Sequence, residues 1–298
     1  MNNYRKVGII GGGAWGLAVA SLQNSSKVIL FSRNNIENLP KNVSFITNNF
    51  EYLSDLDCIF ITTPSCFFKN TILEIKNYSS NNPDIVICTK GFSQDDVFLL
   101  SDLVALHYPK SQIGILSGPN FASEVMEKMP TSSLLASKSK ELFLKAKSSM
   151  DYIKLHYSTD IIGAQICGAI KNVFAIASGM LKGMGFRENT HCAMITKALL
   201  EMGDIVEMFG GERETTFSLA GIGDLMLTCN SLVSRNTSFG YDVVKYGCIT
   251  KALTGKTVEG YNTSLLLREK NTHSQIIKAI YKILFEDAPT DILLQAIF

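Results

Sequence analysis

Lys6-Val7-Gly8-Ile9-Ile10-Gly11-Gly12-Gly13-Ala14-Trp15-Gly16 is the stretch whose reading decides the fold. Residues 6–10 are short, apolar and rich in β-branched side chains, as a buried strand requires. The next six spell GxGxxG, and the apolar pattern continues as a helix over 14–23. Between a strand and a helix each glycine has a task. Gly11 permits the tight turn, Gly13 lets backbone approach a pyrophosphate, and Gly16 lets the helix pack on the strand. A glycine loop alone also serves as a plain turn; the strand–loop–helix–strand context selects dinucleotide binding.

The same residues imitate an export signal. Arg5 and Lys6 precede an apolar run over 7–22, and Ala18-Val19-Ala20 looks like a small-residue cleavage site. Gly11, Gly12, Gly13 and Gly16 fall where a signal core needs continuous helix, and each weakens a helix by about 1 kcal/mol. The segment is therefore expected to stay and fold, in a cytoplasmic protein.

Outward from the loop, short apolar segments alternate with helical ones. Strands are predicted over 6–10, 27–31, 57–61, 85–88 and 112–116, with further strand-like pieces over 133–136 and 153–157. Helices fall around 14–23, 67–76 and 96–106, the last starting at the acid pair Asp95-Asp96, placed to meet the helix dipole. That rhythm predicts a parallel sheet with helices on both faces. After residue 158 the strand period disappears, and helices are expected over 160–182, 190–209, 224–232, 238–245, 258–269, 274–285 and 289–298, with Gly210-Gly211 as a stop signal. The fold class is thus α/β: an N-terminal Rossmann-like, doubly wound, mostly parallel sheet over 1–158, and an all-helical domain over 159–298.

Composition narrows the function. A chain of 298 residues suits two domains. Its 46% hydrophobic and 18% charged content is ordinary for a globular protein. A net charge of +1 supplies no global field for nucleic acid or an anionic membrane, so any anionic ligand must be held by local charges. No run of 18 or more apolar residues suggests a membrane span. Seven cysteines lack CxxC pairs or zinc-like spacing with histidine, so reduced thiols and no metal site are expected.

The end of the second strand bears on the cofactor. An NAD site places an acid there for the ribose 2′-hydroxyl, whereas this chain carries Ser32-Arg33-Asn34 and no acid until Glu37. Arg33 would pair with a 2′-phosphate or stack on adenine; a solvated strand-end arginine is the bland alternative. The reading leans to NADP over NAD.

The second half holds Gly221-Ile222-Gly223-Asp224-Leu225-Met226-Leu227-Thr228-Cys229, followed by Ser231, Ser234, Arg235, Asn236 and Gly240. Asp224 is placed to cap a helix, with Thr228 one turn later on the same face. Ser234-Arg235-Asn236 reads as a break and a second helix start, where free N–H groups and a guanidinium favour a phosphate. A cap followed by a plain break would look the same.

Taken together, GDLxLTCxSxxSRNxxxG and the motifs below resemble bacterial-type NAD(P)-dependent sn-glycerol-3-phosphate dehydrogenases over nearly the whole chain. The glycine loop with Ala14 and Trp15 resembles that family's nucleotide loop, and Lys90 in Cys88-Thr89-Lys90-Gly91 its lysine facing cofactor and substrate. Ser117-Gly118-Pro119-Asn120-Phe121-Ala122 is similar to its SGPxFA turn, with Asn120 where Thr or Ser is common. Lys171-Asn172 resembles its catalytic helix and Val258-Glu259-Gly260 its VEG motif.

The resemblance implies reversible hydride transfer between NAD(P)H and dihydroxyacetone phosphate, in a homodimer feeding glycerophospholipid synthesis. It implies catalytic roles for Lys171, Asp224 and Lys90. Substrate contacts would come from these and from Gly118, Asn120, Asn172, Thr228, Ser234, Arg235 and Asn236. Cofactor contacts would come from Gly11, Gly13, Ala14, Trp15, Gly16, Arg33, Lys90, Ala122, Arg235, Thr257 and Glu259.

Physics supports Lys171 independently. Ala164, Gly168 and Ala175 share its helical face, so another surface can approach, strip the ammonium of water and lower its pKa toward neutrality. A lysine snorkelling from a helix contact is the alternative. His107, His156, His191 and His273 have neighbours of edge or core type and are not expected in catalysis. Two rivals stay open: a dehydrogenase of hydroxy acids or acyl-CoA, which has no need of Arg235-Asn236, and a nucleotide-responsive binding protein without turnover.

Overall fold

Eight strands form one sheet in the first part of the chain: β1 (Lys6–Ile10), β2 (Lys27–Phe31), β3 (Phe45–Thr47), β4 (Cys58–Ile61), β5 (Asp84–Ile87), β6 (Ile113–Ser117), β7 (Thr131–Ser137) and β8 (Ile153–Ser158). The structure, a computed structural model, describes residues 3–94, 97–255, 257–270 and 272–298; Asp95 and Asp96, read above as a helix-start pair, lie outside them. Strand order is β3-β2-β1-β4-β5-β6-β7-β8. Neighbours run parallel except β6 and β7, which pair antiparallel. Connections from β1 lead to β2 on one side and β4 takes the other, so the loop after β1 sits at the point where strand order reverses, the usual place for a ligand in such sheets.

Strands β1, β2, β4 and β5 are almost wholly buried. Burial on both faces explains why their sequences are continuous apolar runs rather than alternations. Val7, Ile9, Val28, Leu30, Phe60, Val86, Leu116 and Leu135 belong to one core cluster. These residues lie in a compact unit made of Met1–Thr89 and Ser93–Ile161.

The second compact unit comprises Lys90–Phe92 and Ile162–Phe298. Its long helix, Ile161–Gly183, is the one described helix apolar and long enough to cross a membrane by length and composition, but 94% of its most apolar window is buried inside the protein, as in a core helix. Small residues let a partner helix, Arg235–Tyr246, lie directly against it. A Cβ on Gly179 would meet Thr237 O at 2.0 Å, and one on Gly240 would meet Ile176 O at 2.1 Å. Phe92, fully buried, stacks on Phe209 with ring centroids 6.4 Å apart.

Candidate active site

Asp224 opens the helix Asp224–Asn230, which follows a π-turn over Leu219–Gly223. The expectation that it caps this helix is corrected here: the cap position is Gly223, with no side-chain cap bond. The carboxylate, 2% exposed, is turned instead to two ammonium groups. A buried carboxylate gains more from charge-assisted bonds to cations than from one backbone N–H.

Lys171 Nζ donates to Asp224 Oδ1 at 2.8 Å and to Thr228 Oγ1 at 2.7 Å. Thr228 Oγ1 in turn donates to the Asp224 carbonyl at 2.6 Å, so the hydroxyl proton is committed and its oxygen is left to accept from the lysine. Lys90 Nζ donates to the other carboxylate oxygen, Oδ2, at 2.5 Å. One carboxylate thus joins residues 53 and 134 positions apart.

Burial is the main cause that lowers the Lys171 pKa, to about 8; Asp224 opposes the fall and Lys90 assists it. Burial disfavours the Asp224 carboxylate, but the facing Lys171 and Lys90 outweigh it and hold its pKa below the ordinary carboxyl value.

A second group of polar side chains lies in the same unit. Ser234 caps the Arg235–Tyr246 helix, its Oγ accepting from Thr237 N at 3.3 Å. Arg235, exposed at the first helical position, makes no ion pair among the described residues. Asn236 Nδ2 donates to Asn172 Oδ1 at 2.9 Å, and Asn236 Oδ1 accepts from Gly260 N at 2.9 Å. Because a backbone N–H can only donate, Gly260 fixes which end of the Asn236 amide faces Asn172. Glu259 is the first residue of the helix Glu259–Arg268, and Thr257 is exposed just before it.

In the first unit, Gly11 has φ +121°. Thr62 Oγ1 lies 3.0 Å from the Ile10 carbonyl and 3.1 Å from that of Gly11, pinning the loop to β4. A Cβ on Gly16 would meet Gly11 O at 1.8 Å, whereas nothing stands within 4 Å of one built on Gly13. Backbone is therefore open on the side where a pyrophosphate must approach, and the residues fit a dinucleotide. Ala14 starts the helix Ala14–Ser21; Trp15 follows, its buried Nε1 without a hydrogen-bond partner among the described residues. The Arg33 guanidinium lies over the Phe67 ring, 5.3 Å from its centroid. Phe67, 45% exposed, was missed from sequence; the signal was an aromatic side chain at the first position of the helix expected over 67–76, which the structure starts at Phe68. Gly118 and Asn120 lie in the turn after β6, and Ala122 begins the helix Ala122–Met126.

Among the described residues no histidine hydrogen-bonds to Lys171, Asp224 or Lys90. His191 is buried with Nδ1 3.4 Å from Ser178 Oγ, His156 and His273 are exposed, and His107 is half-buried.

The model of the C-terminus of NAD-dependent glycerol-3-phosphate dehydrogenase matches residues 160–295, and that of its N-terminus matches residues 35–143. The chain belongs to this family. A glycerol-3-phosphate dehydrogenase [NAD(P)+] from Francisella philomiragia is 35% identical over 98% of this chain and 97% of its own length. One of the same name from Alcanivorax borkumensis is 32% identical over 96% of this chain and 92% of its own. The crystal structure of glycerol-3-phosphate dehydrogenase from Coxiella burnetii superposes with a TM-score of 0.89, at 28% identity, covering 98% of this chain and 97% of that one. Family membership carries the two-part architecture, a Rossmann-like sheet followed by helices, and an NAD or NADP cofactor.

Proposed function

We propose that the chain reversibly reduces dihydroxyacetone phosphate to sn-glycerol 3-phosphate with NAD(P)H. The observation that carries this reading is the buried Lys171 ammonium between Asp224 and Thr228, with a pKa of about 8. When bound, the nicotinamide supplies or takes the hydride at C2 of the substrate. Lys171 gives the proton that the nascent alkoxide needs, and removes it in the oxidising direction. Asp224 and Thr228 take two of its N–H groups and so aim the third at the substrate oxygen. Lys90 adds positive charge to the same carboxylate and polarises the carbonyl.

The phosphate is assigned to the start of the Arg235–Tyr246 helix, where the positive end of the helix dipole, the Ser234 cap and the exposed Arg235 guanidinium gather. Asn236 spends its oxygen on Gly260 and one Nδ2 proton on Asn172. Its other Nδ2 proton, with the Nδ2 protons of Asn172, is left for the substrate. The glycine loop, Ala14, Trp15 and Ala122 serve the cofactor, with Arg33 on a 2′-phosphate; Thr257, Glu259, Lys90 and Arg235 complete that set. Seven cysteines without a disulfide suit a reducing cytoplasm. The exposed Leu232 and Val233, adjacent in the turn before the phosphate helix, suit a contact between two copies in a homodimer. Glycerophospholipid synthesis would consume the product.

One assay tests the reading. Dihydroxyacetone phosphate is offered with NADPH and, separately, NADH while absorbance is followed. Oxidation with either supports the proposal, and NADPH is expected to be preferred. Oxidation of neither, or equal rates with a phosphate-free hydroxy-acid pair, overturns it.

A further inference from the structure

We infer that Asn120 is a positioning residue, clamping the turn over 117–122 to strand β7 and leaving the turn's main chain to meet the triose phosphate. The inference rests on the substrate reading above.

Both amide protons of Asn120, and one acceptor position of its oxygen, are spent within the fold. Its Nδ2 donates to Thr131 Oγ1 at 2.6 Å and to Ser132 O at 3.3 Å, and its Oδ1 accepts from Ser133 Oγ. Thr131 Oγ1 also lies 3.5 Å from the Pro119 carbonyl. Both amide protons are therefore used on β7, and none remains for a ligand. Ser133 is completely buried, so its hydroxyl cannot exchange this partner for water without cost. The backbone is pressed to the same strand: a Cβ on Gly118 would meet Ser133 Cα and Oγ, each at 2.9 Å. A seryl or threonyl hydroxyl at position 120 has one proton to give and could not bridge both Thr131 and Ser132. Asparagine has the reach and the matched pair of donors and acceptor. The side chain that a shorter residue would offer to a substrate is here converted into a brace for the loop.

The inference separates from direct contact by changing residues on the β7 side. N120A, S133A, T131V and the N120A/S133A double variant are assayed for kcat and for KM toward dihydroxyacetone phosphate and nucleotide. Clamping predicts that N120A and S133A each raise the substrate KM by about fivefold to tenfold. T131V raises it less, and the double variant is no worse than the worse single one. Nucleotide KM and kcat stay within about twofold, which a general loss of folding would not spare. Direct contact predicts the reverse: N120A raises the substrate KM while S133A and T131V leave it unchanged, and that result overturns the inference. An unchanged substrate KM in all four variants also overturns it. If the unmodified chain fails to reduce the triose phosphate at all, the functional reading falls first, and the inference with it.

Discussion

The role proposed for Lys171 rests on a balance between lost hydration and one facing carboxylate. Because its pKa lies at about 8 rather than the ordinary 10.5, the amine changes charge within the working range of an enzyme. The sign follows from which form acts. Oxidation of sn-glycerol 3-phosphate needs the neutral amine as base, so kcat should rise with pH through about 8 and then level. Reduction needs the ammonium as acid, so kcat should fall as pH passes the same value. Asp224 is the chief influence raising that pKa against burial. Asp224→Asn should therefore move the inflection to lower pH, and pH profiles of kcat in both directions measure the displacement. An inflection that stays in place would remove Lys171 as the titrating group. At this scale the lysine was legible, because Ala164, Gly168 and Ala175 flank it at helical spacing. Its partners were not: hydrogen bonds spanning 53 and 134 residues leave no local trace, and Asp224 read locally as a cap.

Helix starts decide two further properties. At the Arg235–Tyr246 helix, Ser234 satisfies one free N–H and Arg235 adds a full positive charge to the dipole. Arg235→Ala should raise the KM for dihydroxyacetone phosphate by about tenfold to a hundredfold, the loss of one charge-assisted contact, with a small effect on kcat. Steady-state kinetics over a wide substrate range measure it, and an unchanged KM would take Arg235 out of phosphate recognition. At the Gln275–Phe285 helix a carboxylate fills the place a ligand would otherwise want. Glu201, 6% exposed, accepts from Ser274 Oγ, from Gln275 N at 3.1 Å and from Ile276 N at 3.3 Å. Glu201→Ala should cost about 2 kcal/mol, seen as a lower Tm with kinetic constants unchanged. The parallel strands were readable almost residue by residue because they are buried on both faces. β3 escaped, being three half-buried residues at the sheet edge. The helix Lys140–Ser149 was overlooked although Ser139 caps it and Leu142, Phe143 and Ala146 mark its buried face. Of the segment expected to be helical over 96–106, the described residues, 97–106, form a helix only over Leu100–Ala105.

The candidate site residues divide between two compact units. The glycine loop and Arg33 belong to the first, while Lys171, Asp224, Thr228 and Arg235 belong to the second. Lys90 shows where sequence order misleads: it stands three residues after the end of strand β5, yet the segment Lys90–Phe92 clusters with the helices. Its side chain bonds Asp224, and Phe92 is buried against Phe209. The division has an energetic consequence. Arg33 partners Phe67 within the first unit, and Thr228 partners Lys171 and Asp224 within the second, so these interactions have no partner in common among the described residues. Substitutions at such sites add in free energy to within about 0.5 kcal/mol. Arg33→Ala should lower kcat/KM for NADPH much more than for NADH, because only the former carries the 2′-phosphate. Thr228→Val removes the acceptor that orients the Lys171 ammonium, and should lower kcat equally with either nucleotide. The double variant should then show the product of the two single effects with NADPH, and nearly the Thr228→Val effect alone with NADH. A double variant departing from that product by more than about threefold would mean that nucleotide grip and proton transfer are coupled through the fold, since 0.5 kcal/mol corresponds to a factor of about 2.3.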